Sequence, residues 1–349
     1  MQITQKRLID VLADSGKQYV VPVYQRVYSW TTPHCEALLR DSLLASYEKR
    51  PHFVGTLLFR DAGELDKVRR YALIDGQQRL ATVILLAVAL RQRLLESGDE
   101  VPAWINDFLA ISVNEVTEPK IILSRPDRDT FASVTTDADL AGSAIVSELV
   151  HENLEYFRHE FSDPEFDTAA LIDGLARLTV VVAKLGDSDR PQLVFESLNA
   201  KGMPLKTSDL IRNLLLTQLG REEQIRLFRK YWEPLEDRFD RIEAAEKAER
   251  AHKIGIPPQD RNIEWEGLAL DAALHAWLLE NSDSARPETR AGLYDSFKNH
   301  VQEHPEIKLE DLLKSINLRC NVFADEFETP EAREHIDWAI GKAQGFGGR

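Results

Sequence analysis

Tyr71-Ala72-Leu73-Ile74-Asp75-Gly76-Gln77-Gln78-Arg79-Leu80, with the apolar run Ala81 to Leu90 behind it, is the stretch that decides the fold. Residues 69–74 read as a strand. Asp75-Gly76 breaks it, and a helix is predicted from about Gln78 to Leu95. Its first half is apolar all round, so it belongs in a core. A helix start exposes unpaired N–H groups and a partial positive charge, which suits phosphate. Gly76 lets a ligand approach the backbone, and Arg79 offers a fork for phosphate oxygens. Asp75 is suited to a magnesium ion, a ribose hydroxyl or a water; Gln77 and Gln78 to a water or a base edge. The plainer reading makes Asp75 a helix cap and Arg79 a partner of a surface carboxylate. Against it, two glutamines and an arginine on an apolar helix are costly to desolvate without a partner.

Working outward, residues 52–59 (His-Phe-Val-Gly-Thr-Leu-Leu-Phe) read as a strand forming a hairpin with 69–74 through the turn Asp61-Ala62-Gly63-Glu64. Residues 18–23 read as a further strand, with Pro22 marking an edge or an end. A helix over 34–49 carries Leu38, Leu39, Leu43, Leu44 and Tyr47 on one face. A strand at 119–124, a helix at 146–161 and a strand at 178–185 follow. A helix at 190–198, with Ser188 or Asp189 as N-cap, a loop at 199–206 and a helix at 208–219 come next. Beyond them the pattern is helical only: 222–249, 263–280, 286–303, 308–327 and 330–344, with a loop at 253–262. Glu243 to Lys253 reads as a solvated helix. The fold class is α+β: a mixed N-terminal domain over 1–220 and an all-helical domain over 221–349.

The 349 residues carry a net charge of -15, so bulk electrostatics cannot bind nucleic acid, and DNA contact needs a local basic patch or a partner. Two cysteines, Cys35 and Cys320, make neither a disulfide framework nor a zinc motif. The N-terminus lacks the apolar stretch of a signal peptide, and Leu80 to Leu90 is too short to span a bilayer. A cytoplasmic protein without a membrane segment is expected.

Two further segments carry candidate chemistry. Pro22-Val23-Tyr24-Gln25-Arg26-Val27-Tyr28-Ser29-Trp30 crowds aromatics, an amide and a cation after a strand, a set that stacks a base and clamps a phosphate. Its alternative is a packed edge, with Tyr24, Tyr28 and Trp30 as core. Phe195-Glu196-Ser197-Leu198-Asn199-Ala200-Lys201-Gly202-Met203-Pro204-Leu205 ends one helix, turns at Gly202 and leads into the next, either as a capped helix–loop–helix or as a loop over a site.

Together these segments resemble the N-terminal domain of GmrSD-type modification-dependent restriction enzymes. That family shows Pro-x-Tyr-Gln-Arg-x-Tyr-x-Trp, Phe-x-Gly-Thr/Ser, Asp-Gly-Gln-Gln-Arg and Phe-Glu-x-Leu-Asn-x-x-Gly-x-x-Leu in this order. Here they stand at Pro22 to Trp30, Phe53 to Thr56, Asp75 to Arg79 and Phe195 to Leu205. The resemblance implies a ParB/sulfiredoxin-like core and a nucleoside-triphosphate pocket, with hydrolysis coupled to DNA restriction or phage defence. Tyr24, Gln25 and Arg26 would line that pocket. Asp75 to Arg79 would form its floor, with Asp75, Gln78 and Arg79 as catalytic residues and Asp75 as magnesium ligand. Glu196, Asn199 and Gly202 would close one side. The nucleotide, among GTP, UTP, CTP and ATP, is not identified.

Many relatives continue into a His-Asn-His-type nuclease domain. The nine histidines here form no metal-ligand motif, so nuclease activity is not expected from this chain alone. A nuclease subunit, or a nuclease domain missing from a truncated chain, is the expected partner; modified DNA is another, contacted weakly by this chain alone. Homo-oligomer formation stays open. The enzyme reading is a magnesium-dependent nucleoside-triphosphatase. The site lacks the Walker A pattern. The alternative is a non-hydrolysing sensor or adaptor that binds nucleotide or DNA for a separate nuclease. A redox reading, suggested by the sulfiredoxin likeness, needs a reactive cysteine, and Cys35 sits on an apolar helix face.

Overall fold

The computed structural model describes residues 1–125, 127–137, 147–186, 189, 206–217, 219–252, 267–282 and 287–341. The chain divides into two compact units, Met1–Ser197 and Leu198–Arg349.

In the first unit the strands are β1 (Gln2–Arg7), β2 (Lys17–Val20), β3 (His52–Leu65), β4 (Val68–Asp75), β5 (Ala110–Val113), β6 (Val116–Pro119), β7 (Ile121–Ile122) and β8 (Leu178–Leu185). The helices are α1 (Leu8–Leu12), α2 (Thr32–Tyr47), α3 (Gln77–Ser97), α4 (Ala103–Leu109), α5 (Asp127–Thr136), α6 (Glu148–Phe161) and α7 (Thr168–Arg177). Six strands form one sheet in the order β1-β8-β3-β4-β2-β7, while β5 and β6 pair separately. β3 runs antiparallel to β4 and parallel to β8, and β2 lies parallel to both β4 and β7.

The apolar run behaves as its composition dictates. Every residue of α3 from Leu80 to Leu90 is buried, and the helix forms the centre of a core with Leu57, Phe59, Tyr71 and Leu73 from the sheet and Phe157 and Phe161 from α6. With all its sides covered, this helix can present a ligand only at its ends, and its N-terminus opens directly from β4.

The β3–β4 hairpin exists, but its turn is not Asp61–Glu64. The strands continue to the pair Leu65 and Val68, and Asp66 and Lys67 make the two-residue turn with φ of 48° and 62°. Left-handed values at both central residues match the twist of the flanking strands. Asp66 steadies the turn by accepting from Asn114 N at 2.6 Å. The Asp61–Glu64 signal marks a register shift within the hairpin instead.

β1 is an edge strand whose six residues are all exposed, so it carries no hydrophobic pattern to read. Its register comes from β8, Gln2 opposite Lys184 through to Arg7 opposite Thr179.

The second unit is helical in its described residues: α8 (Thr207–Leu216), α9 (Arg221–Leu227), a π-turn at Phe228–Trp232, α10 (Glu233–His252), α11 (Leu268–Asn281), α12 (Arg290–Glu303), α13 (Leu309–Asp325) and α14 (Pro330–Ala339). The expected helix over 222–249 is present and passes through a π-helical turn at Phe228–Trp232, both of whose end residues are buried. α11 is its buried centre, with Leu268 to Leu278 all covered. The solvated reading of Glu243 onward is overturned for Glu243 and Glu246, which are 7% and 8% exposed. Glu243 accepts from Gly267 N at 2.9 Å and Ala269 N at 2.8 Å and so closes the start of α11. The predicted helix at 190–198, the loop at 199–206 apart from Lys206, and the loop at 253–262 lie outside the described residues.

Candidate functional site

β4 delivers Asp75 to the sheet end, and Gly76 turns the chain with φ of 92°. A side chain there would collide with Leu57 and stand 3.0 Å from the Thr56 carbonyl, so β3 itself demands glycine. The helical ladder begins with Leu80 N to Gly76 O at 3.0 Å. The preceding N–H groups of Gln77, Gln78 and Arg79 are first-turn donors without intrahelical acceptors.

Arg79 folds back over β3. Its Nη1 donates to Thr56 O at 3.1 Å, and its guanidinium lies on the face of Gly55. A Cβ at Gly55 would stand 2.5–2.9 Å from Nη2, Cζ and Nη1, and Gly55 has a φ of 115°. The Phe53-x-Gly55-Thr56 element is therefore the seat of Arg79. Burial pulls the guanidinium below its ordinary value, while Asp75 pulls it back up. For Asp75 burial again dominates and raises the carboxyl, with Arg79, the Gly76 N–H and Arg26 acting the other way.

The two glutamines hold the Tyr24–Trp30 segment. Gln78 Nε2 donates to Val27 O at 3.0 Å and its Oε1 accepts from Ser29 N at 2.8 Å. Gln77 Nε2 donates to Arg26 O at 3.2 Å, while its Oε1 is buried without a partner. Gln25 Nε2 completes the splice by donating to Ile74 O at 3.1 Å. Much of the desolvation cost that argued for a ligand is thus met by the chain's own backbone, and Gln77 Oε1 is the exception. Tyr24 and Tyr28 are buried as packing residues, Trp30 is half-buried, and Arg26 is half-buried with its charge felt at Asp75.

Three residues outside the expected motifs join the site. Asp127, 3% exposed, accepts from Tyr28 N through Oδ2 and from Ser147 Oγ through Oδ1, both at 2.6 Å. Burial raises its carboxyl, and these two bonds lower it. Asn153 Nδ2 donates to the Tyr28 hydroxyl at 2.9 Å and to Trp30 O at 2.6 Å. Tyr28 Oη also lies 2.7 Å from Thr82 Oγ1 on α3. Ser124 lines, with Gln77, Gln78, Arg26, Tyr28 and Asp127, a small cleft. In sequence neither Asp127, Ser124 nor Asn153 carries a signal, and no element is predicted where the structure places α5.

The structure therefore brings Tyr24, Gln25, Arg26 and Asp75 to Arg79 together at one sheet end. Glu196, Asn199 and Gly202 lie outside the described residues. Cys35 is wholly buried, and burial pushes its thiol up to about 12, the opposite of what redox chemistry requires. Among the described residues no group of three or more His, Cys, Asp or Glu is placed to hold a metal ion, and no helix is long and apolar enough to cross a membrane.

No curated protein matches the chain in sequence. The sequence model of the GmrSD restriction endonuclease N-terminal domain matches residues 8–216. That match takes in both glutamine–arginine segments, the Gly55 seat and the sheet end that joins them, and the chain belongs to the GmrSD restriction endonuclease N-terminal domain family.

Proposed function

We propose that the Asp75–Arg79 turn binds a nucleoside triphosphate and hydrolyses it, in the restriction and phage-defence setting of the family. One observation carries this reading: a guanidinium seated on Gly55, with one hydrogen bond to Thr56 O, stands in the first turn of a helix whose leading N–H groups have no intrahelical acceptor. Phosphate oxygens are the ligand atoms that answer both kinds of donor. Arg79, with Arg26 as a second cation, would neutralise charge developing on the transferred phosphoryl group, and such positioned charge is most of what phosphoryl transfer needs. Asp75, its carboxyl raised by burial, would accept a proton from the attacking water or orient it. Magnesium, when bound, would screen the phosphates, and Asp75 is the carboxylate at the turn suited to hold it alongside phosphate oxygens. Gln78 acts in this scheme by fixing the Arg26–Ser29 backbone. Glu196, Asn199 and Gly202 would close one side of the pocket.

Cleavage of DNA would then fall to a nuclease subunit or a His-Asn-His-type domain. The net charge of -15 argues that this chain alone contacts DNA weakly. The test is phosphate release from ATP, GTP, CTP and UTP with magnesium, with and without modified DNA, for wild type and Arg79→Ala. Turnover that disappears in the variant supports the reading and names the nucleotide. Equal turnover in both sinks it.

A second reading, a nucleotide sensor without turnover, is favoured by one observation. Gln78, expected to orient water, has both ends of its amide engaged by backbone. Nucleotide binding by calorimetry with no phosphate release, even with DNA and partner present, would establish it.

A further inference from the structure

We infer that Gln77, Ser124 and Asp127 form a receptor for one hydroxyl group of the bound ligand. On the nucleotide reading above, on which this inference rests, that group is a ribose hydroxyl, and the three residues decide between ribo- and deoxyribonucleotides.

Of the cleft beside the turn, about 10 Å³ admits a water-sized group. That is room for about one oxygen with its hydrogen, and too little for a nucleobase or a phosphate. Val21 and Leu123 supply apolar walls, so whatever polar chemistry the cleft has comes from a few side chains. Gln77 is 7% exposed, and its Nε2 is committed to the Arg26 carbonyl. A carbonyl accepts only, so the amide cannot be turned round, and Oε1 is left as a buried acceptor without a donor. Ser124 is 4% exposed and lines the same cleft, and its hydroxyl can both donate and accept. Asp127 uses one lone pair on each oxygen, for Tyr28 N and Ser147 Oγ, and keeps further acceptor capacity on both.

The three groups select by their donor–acceptor balance. Two are acceptors and the third can do either. A phosphate or carboxylate oxygen, which only accepts, would face Gln77 Oε1 and Asp127 unfavourably. An exocyclic amine could donate to all three, but it arrives on a ring that the space does not admit. A hydroxyl donates to Gln77 or Asp127 and accepts from Ser124. The location agrees: Gln77 follows Gly76 directly, and Arg26 both lines the cleft and acts on Asp75. A ligand with phosphates at the turn and a hydroxyl a short distance away reaches both.

The experiment measures, by calorimetry on the full chain with magnesium, affinities for ATP, GTP, CTP and UTP and for their 2′-deoxy and 3′-deoxy analogues. The expected result is that one class of deoxy analogue binds about tenfold more weakly than its parent, the size of one buried hydrogen bond. In Ser124→Ala, and independently in Asp127→Asn, the parent's affinity falls towards that of the deoxy analogue. Equal affinities for parent and both analogues in wild type overturn the inference and leave the cleft to a resident water, with nucleotide binding intact. No binding by any nucleotide overturns this inference together with the nucleotide reading. The wild-type comparison decides without any variant having to fold.

Discussion

Two regions of the molecule set carboxylates at the start of a buried helix, and they finish the arrangement differently. At the start of α11 the polar groups are answered by the chain itself. Asp271, fully buried, accepts from Ser208 N at 2.8 Å through one oxygen and from Arg290 Nε through the other. Glu243 divides its two oxygens between Gly267 N and Ala269 N. At the start of α3 the accounts stay open. Arg79 bonds the Thr56 carbonyl and only feels the charge of Asp75, while Gln77 Oε1 is buried with no donor among the described residues. A buried polar group satisfied by its own chain is a strut. One left short is where a ligand is expected, because a folded protein rarely tolerates the loss for nothing.

The contrast predicts opposite responses to similar substitutions. Arg79→Ala is expected to lower phosphate release by about 10³-fold, on the scale of a transition-state arginine, with the thermal midpoint close to wild type. Asp271→Ala should do the reverse. It removes the buried acceptor of Arg290 Nε and Ser208 N and costs roughly 3 kcal/mol in urea unfolding. If Asp271→Ala instead abolished turnover at full stability, the division between strut and site would break.

Gly55→Ala sharpens the comparison inside the site. Its Cβ drives the guanidinium off its seat, and a displacement on the order of 1 Å is expected to cost roughly 10- to 100-fold in turnover. The double variant with Arg79→Ala should be no slower than Arg79→Ala alone, since both act through one group. Additive losses would mean that Gly55 matters for strand geometry only.

The smallest effect is a pH signature confined to the helical unit. Burial, with Arg319, pushes His335 down to about 4. The unfolded chain then takes up that proton first, so stability falls as pH drops from about 6.5 towards about 4. Burial pushes Glu243 up to about 7, with its two backbone bonds opposing. Here the folded chain holds the proton longer, so its contribution is present below about 4.5 and is lost as pH rises through about 7. Urea midpoints between pH 4 and 8 should lose the acid slope in His335→Gln and the opposite slope in Glu243→Gln, each on the order of 1 kcal/mol. Slopes unchanged in both variants would assign the pH dependence to other groups.

What could be read directly from the chain was local. The β3–β4 hairpin, the buried α3 and the Asp-Gly break between them follow from strand-forming residues, an unbroken apolar run and a turn, each contained within a short stretch. The motif order at Pro22 to Trp30, Phe53 to Thr56 and Asp75 to Arg79 added the family. The position of the hairpin turn was misread because Asp66-Lys67 lacks the glycine that usually marks such turns, and Asn114, far along the chain, lends the missing support. β1 left no trace because an exposed edge strand needs no apolar alternation and takes its register from β8.

The sequence by itself determined that a strand-to-helix turn lies at Asp75–Arg79 and that an α+β unit precedes a helical one. Only the tertiary structure decided what each side chain does there. It gave Gln78 to the backbone of Val27 and Ser29, seated Arg79 on Gly55, and carried Ser124 and Asp127 to Gln77. The physical reason is separation along the chain. Apolar periodicity and turn chemistry act between near neighbours. Whether a buried polar atom is satisfied depends on partners that the sheet brings in from some fifty residues away, as Gln78 shows with Ser29.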